Sequence, residues 1–262
     1  MTTARRKIFL ALTVTFIANS FFACRSSTIR NRANEVQLPP VMLWAWERPE
    51  DLRFLNSRRY GVAVLAQTLV LKDDDVVQKP RHHPLLVPPD LKVVAVTRIE
   101  SQRSKTQKPV LSGSQAARIT ELIRKTLELP NVSAVQVDYD ATTSEREFYR
   151  SLLRELRAKL PDETPLSITA LASFCIGDRW IKDLPIDEAI PMAFRMGTDS
   201  TRIQAMLADG HDFRGELCQR SYGIALDEPL SARFDPARRV YVFNSHPWKE
   251  SDLGVLEERL RQ

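Results

Sequence analysis

The chain has 262 residues, with 38 lysines and arginines against 33 acids and a formal charge of +5. Three of those positive charges fall in the first 24 residues, so the remaining chain carries only +2, mixed along its length without a basic stripe. That excludes a nucleic-acid surface and leaves enough chain to bury one large core.

Residues 1–24 read as a secretory signal: Arg5, Arg6 and Lys7 form a basic start, 8–17 an apolar run, and 21–24 a short ending at Cys24. The Ala-Cys ending resembles a bacterial lipoprotein box, so the segment is either cleaved or leaves Cys24 as a lipidated first residue. Either way the expected location is the periplasm or cell envelope, with membrane contact only through the signal anchor or that lipid. Setting Cys24 aside leaves Cys175 and Cys218 as an even pair in an oxidising compartment, where a disulfide is expected.

A polar leader runs over 25–40, and 41–262 is expected to form one domain. Strands are predicted over 41–46, 61–66, 92–100, 134–140, 165–171, 188–195, 222–228 and 239–246, from apolar and β-branched runs bounded by turn residues. Helices are predicted over 48–55, 115–129, 145–160, 200–207 and 251–260, with a short amphipathic piece at 178–184. The insert 69–89, rich in proline and acids, reads as a loop or small hairpin. Strands alternating with helices point to an α/β fold of parallel units, and eight of them to a (β/α)8 barrel. An open doubly wound sheet is the alternative, weakened because no glycine-rich phosphate loop follows any strand.

Strand 134–140 carries the strongest chemical signal. Alternation puts Gln136, Asp138 and Asp140 on one face and Val135, Val137 and Tyr139 on the other. Acids on a buried strand face are paired or put to use, and crowded carboxyls push their pKa values apart, as acid–base chemistry requires. Asp140 reads equally as a cap for the next helix. In a barrel the site gathers at the strands' C-terminal ends, which here supply Trp44, Trp46, Glu47, Gln67, Arg98, Arg195, Asn244 and His246, with Gln136 on the face of Asp138, as binding candidates. Asp227 and Glu228 end the seventh strand as candidates for a second carboxyl. Trp44 and Trp46 either stack on sugar rings or pack in the core. His82 and His83 are adjacent, so they point apart and read as solvated loop, and no cofactor or metal is expected.

The stretches LWAWERPEDLRFL at 43–55, QVDYDA at 136–141, PLSITALAS at 165–173 and PMAFRMG at 191–197 resemble the bacterial family named domain of unknown function 3142. That family implies no activity. Strand four is also similar to the D-x-x-D-x-D-x-E strand of chitinase-like glycosidases, with Ser133, Gln136, Asp138 and Asp140 at the acidic positions. This resemblance implies a barrel that hydrolyses a glycan, although the proton-donor glutamate is shortened to Asp140. The alternative is the same barrel binding glycan or a partner protein without cleavage.

Overall fold

The computed structural model describes residues 37–103, 108–178, 180–232 and 234–261. The signal segment and Cys24 lie outside them. Eight parallel strands close into a barrel: β1 Val41–Ala45, β2 Tyr60–Lys72, β3 Val93–Ser101, β4 Val132–Asp138, β5 Leu166–Leu171, β6 Glu188–Met192, β7 Ser221–Ala225 and β8 Arg239–Phe243. Closure is made by β1, which pairs with β2 on one side (Val41 opposite Tyr60) and β8 on the other (Val41 opposite Val240). No strand pair of the ring is left open, so the doubly wound alternative is ruled out.

Each strand divides its side chains between two cores, because alternate residues face opposite sides. Val41, Leu43, Val62, Val135, Val137, Ile168, Ile224 and Val242 point outward and pack with the helices. Met42, Trp44, Ala63, Val94, Val96, Ala134, Ile190 and Tyr241 fill the lumen. Gly223 is where a strand must leave room: a Cβ there would lie 3.1 Å from Trp44 Cη2 and 3.0 Å from the Pro191 carbonyl. At the N-terminal end the lumen is closed by ions. Arg239 donates to both oxygens of Glu188 at 3.0 Å, and the Tyr241 hydroxyl donates to Glu188 Oε1 at 2.7 Å.

Among the described residues four α-helices cover the outer wall: α1 Gly113–Lys125, α2 Arg146–Lys159, α3 Ser200–Ala208 and α4 Glu250–Arg259. Ser112 and Gln115 cap α1 reciprocally, and Ile119, Leu122 and Ile123 form its buried stripe. Thr142 and Glu145 do the same for the turn entering α2.

The helix expected over 48–55 does not form. Glu50–Asp51 instead pairs with Leu85–Leu86 in a two-stranded parallel sheet. The buried carboxylate of Glu50 accepts from Arg48 Nε at 2.6 Å and from the Trp248 backbone at 3.0 Å. Those tertiary bonds outweigh a first-turn preference worth only a fraction of a kcal/mol, about 0.3–1.

The insert after β2 is a hairpin. β2 continues to Lys72, turns at Asp73 (φ 48°), and returns as an antiparallel strand over Asp75–Pro80. Arg81 pins the return strand by donating to the carbonyls of Trp46 and Arg48. Together with the end of β3 this makes a three-stranded wall rising beyond the rim.

Cys175 and Cys218 are joined by a disulfide, with Cα atoms 5.8 Å apart. The one-turn helices Ala172–Cys175 and Glu216–Gln219 both pack on β6, and the Arg214 amide donates to the Cys175 carbonyl at 2.6 Å. The segment before β7 thus runs beside the connection that leaves β5.

Candidate functional site

Asp138 is the last residue of β4 and faces the lumen, directly opposite Arg98 in the β3–β4 register. Only 9% of it is exposed. The Thr169 hydroxyl on β5 donates to its Oδ1 at 2.6 Å, and Arg98 Nη1 lies 4.0 Å from Oδ2. Burial pushes the Asp138 pKa up, and the nearby charge of Asp140 adds to that. The Thr169 bond and Arg98 oppose the rise without cancelling it. Arg98 is itself tied to Glu100 at 2.9 Å.

Aromatic rings line the same mouth. The Arg98 guanidinium sits 5.9 Å from the centroid of half-buried Trp46, whose ring meets Phe243 edge-on at 6.4 Å. Phe243 stacks on Phe194 at 5.5 Å with 6° between planes. Arg195 lies 4.8 Å from the Phe243 centroid on the exposed side. Its backbone amide donates to Glu228 Oε2 at 3.0 Å. The wall of β2, β3 and the hairpin flanks this array. Its outer face buries Leu69, Leu71 and Ile99, whereas Thr68, Val70, Arg98 and Glu100 on the other face are at least partly exposed.

Asp140 lies two residues beyond the strand end and is exposed; its backbone carbonyl accepts from Arg103 at 3.3 Å. Asp227 and Glu228 follow β7 on the same rim as Asp138. A hydrogen bond from Ser245 holds the Asp227 carboxyl below its usual range, helped by Arg195 and His246. Strands β4 and β7 are three spacings apart, about 14 Å along the sheet. Asp227 and Asp138 therefore stand on non-neighbouring strands of the rim.

Six of the nine expected binding residues are engaged elsewhere. Trp44 is a lumen plug, 2% exposed, with its indole nitrogen donating to Gln136 Oε1 at 2.8 Å. Gln136 is in turn held by Ser167 at 3.1 Å, so both belong to the packed interior. Gln67 faces α1, donating to Thr97 Oγ1 at 3.0 Å and the Leu122 carbonyl at 3.1 Å. A β-bulge between Leu65 and Gln67 turns it outward. Asn244 is buried and donates to Asp252 in the first turn of α4 at 3.3 Å. Glu47 points away from Trp46 to the hairpin, accepting from the His82 amide at 3.3 Å. His246 is exposed, and its carbonyl accepts from Arg48 at 2.7 Å. Trp46, Arg98 and Arg195 do reach the mouth, with Asp138.

Thr169, Phe194 and Phe243 join them without having been singled out from sequence. Counting by two from the lumen residues Ser167 and Tyr241 reaches Thr169 and Phe243, the signal that would have found them. Cavities of about 310, 670, 590 and 390 Å³ open on the outer wall and the base of the barrel, and none of these four is lined by Asp138, Trp46 or Phe243.

No curated protein matches the sequence. Among solved structures the chain is similar to a family GH18 chitinase from Chromobacterium violaceum. That match has 11% identity, covers 81% of this chain and 80% of that one, and has a TM-score of 0.48. It is also similar to the chitinase domain of the spore coat protein CotE from Clostridium difficile, at 12% identity over 82% of this chain and 67% of that one, with a TM-score of 0.40. Residues 90–181 hold β3, β4 and β5 with Arg98, Asp138 and Thr169, and this stretch matches the family described as Domain of unknown function (DUF3142).

Proposed function

We propose that this protein is an exported, glycosidase-like barrel that engages an envelope or extracellular glycan at its C-terminal mouth and hydrolyses it. The observation that carries the reading is one nearly buried carboxyl of raised pKa, Asp138, beside a half-exposed tryptophan, Trp46. A sugar ring lies on the Trp46 face. Asp138 gives its proton to the glycosidic oxygen as the C1–O bond breaks, a water adds at C1, and a second carboxylate takes the water's proton. Asp140 is the nearer candidate for that base, and Asp227 and Glu228 stand across the mouth. Export rests on the basic and apolar run of 1–24, with Cys24 either lost with that segment or retained under lipid.

A second reading, glycan or protein binding without cleavage, draws on one observation: Glu228 is already engaged by the Arg195 amide at 3.0 Å. The test is to screen the mature chain against bacterial polysaccharides for released reducing ends and for retention on the insoluble polymer. Asp138→Asn and Trp46→Ala serve as controls. Turnover lost with Asp138→Asn supports hydrolysis. Retention lost only with Trp46→Ala, without turnover, supports binding. Retention and turnover untouched by either change would remove the mouth from the function.

A further inference from the structure

The two oxygens of Asp138 are not equivalent. Oδ1 accepts a 2.6 Å bond from the Thr169 hydroxyl, whereas Oδ2 has Arg98 Nη1 at 4.0 Å, too long for a hydrogen bond. Thr169 is β-branched, so few rotamers are open to it, and it sits on the packed lumen face of β5. Beneath the pair the lumen is filled by the Trp44–Gln136–Ser167 chain of hydrogen bonds, which leaves the carboxyl no room to turn downward. On the other side of β4 the flanking residues Val137 and Tyr139 are locked in the outer core. The carboxyl is thereby held in one orientation in the absence of any ligand.

We infer that Thr169 is the positioning residue of this site: its hydroxyl claims Oδ1 and so makes Oδ2, beside Arg98, the oxygen presented to a ligand. An oxygen that already accepts a short bond is the poorer place for the proton. A neutral Asp138 therefore carries its hydrogen on Oδ2, where it can be donated toward the mouth. At 4.0 Å the gap admits no atom between Oδ2 and Arg98, but a ligand oxygen set to one side of it reaches both, and Arg98 is kept from closing it by Glu100 at 2.9 Å and by the Trp46 ring. The inference deepens the hydrolytic reading and rests on it for what Oδ2 does, but the Thr169 bond that sets the orientation can be measured without substrate.

The experiment is a carbon-13 NMR titration of the full mature chain labelled at aspartate carboxyls, with Asp138 assigned by its absence in Asp138→Asn. The ionisable neighbours that act on it are Arg98, Glu100, Asp140 and Tyr149, and all are kept. Thr169→Val keeps shape and removes the hydroxyl, and its Asp138 resonance is expected to titrate at higher pH than in the parent. Thr169→Ser restores the hydroxyl and the parental midpoint. Thr169→Ala removes the hydroxyl with less bulk and serves if the valine variant does not fold. A parental midpoint in the Val or Ala variant overturns the inference, as does a Ser variant that titrates like Val. If the glycan screen fails while these shifts occur, the positioning stands and the hydrolytic reading falls.

Discussion

Asp138→Asn should stabilise the barrel, and by an amount that depends on pH. Burial raises the pKa of this carboxyl in the folded chain above its value in the unfolded chain. Between those two values the native state holds a proton that the unfolded state has released, so unfolding free energy falls as pH rises through the window. Below the unfolded pKa both states are protonated and the penalty is absent. Above the native pKa the penalty is complete and constant. Each pH unit of separation contributes about 1.4 kcal/mol. Asparagine keeps an oxygen to accept the Thr169 bond and removes the charge that burial penalises. Its advantage over the parent should therefore be near zero at the acid end, grow through the window, and level off. For a chain of this length each kcal/mol corresponds to about 2–4 °C in Tm. Urea denaturation of both proteins from pH 3.5 to 8, disulfide intact, measures it. A difference that does not change with pH, or a variant less stable than the parent at neutral pH, would refute the account of Asp138 as an ion held against its solvation.

Three further outcomes follow from the packing. Glu188→Ala takes the carboxylate from Arg239, which keeps only the Pro39 and Leu38 carbonyls, and from the Tyr241 hydroxyl, and should cost about 3–5 kcal/mol, much of it recovered in the Glu188→Leu/Arg239→Met double variant, as read from denaturation midpoints. Gly223→Ala forces a methyl against Trp44 and the Pro191 carbonyl and should cost about 1–3 kcal/mol, whereas Gly177→Ala, where the added carbon meets nothing, serves as the neutral control in thermal melts. Replacing Cys175 and Cys218 by serine frees a loop of 43 residues and should cost about 4 kcal/mol on the chain-entropy account. An equal melting temperature with and without reductant would contradict that last expectation.

Strand positions were legible because they depend on local pattern. Runs such as 132–138 and 166–171 are β-branched and apolar, and a strand buried on both sides needs little else. The helices α1 and α2 carry their caps and apolar stripes within a dozen residues, so they too could be read directly. The face shared by Gln136 and Asp138 follows from the two-residue period alone.

What the sequence could not decide is what each face meets. One extra residue at the β2 bulge reverses the direction of Gln67, and no local signal marks it. Trp44 lies in β1 and Trp46 just past its end, so one plugs the lumen and the other reaches the mouth, because depth along a barrel axis is set by where the ring of strands ends. The stretch at 48–55 has helical punctuation but is claimed by residues nearly two hundred positions away. Sequence settles the period of an element, a matter of neighbouring residues. Closure of the sheet settles burial, partners and ionisation, because these depend on atoms the chain brings together only at the end of folding.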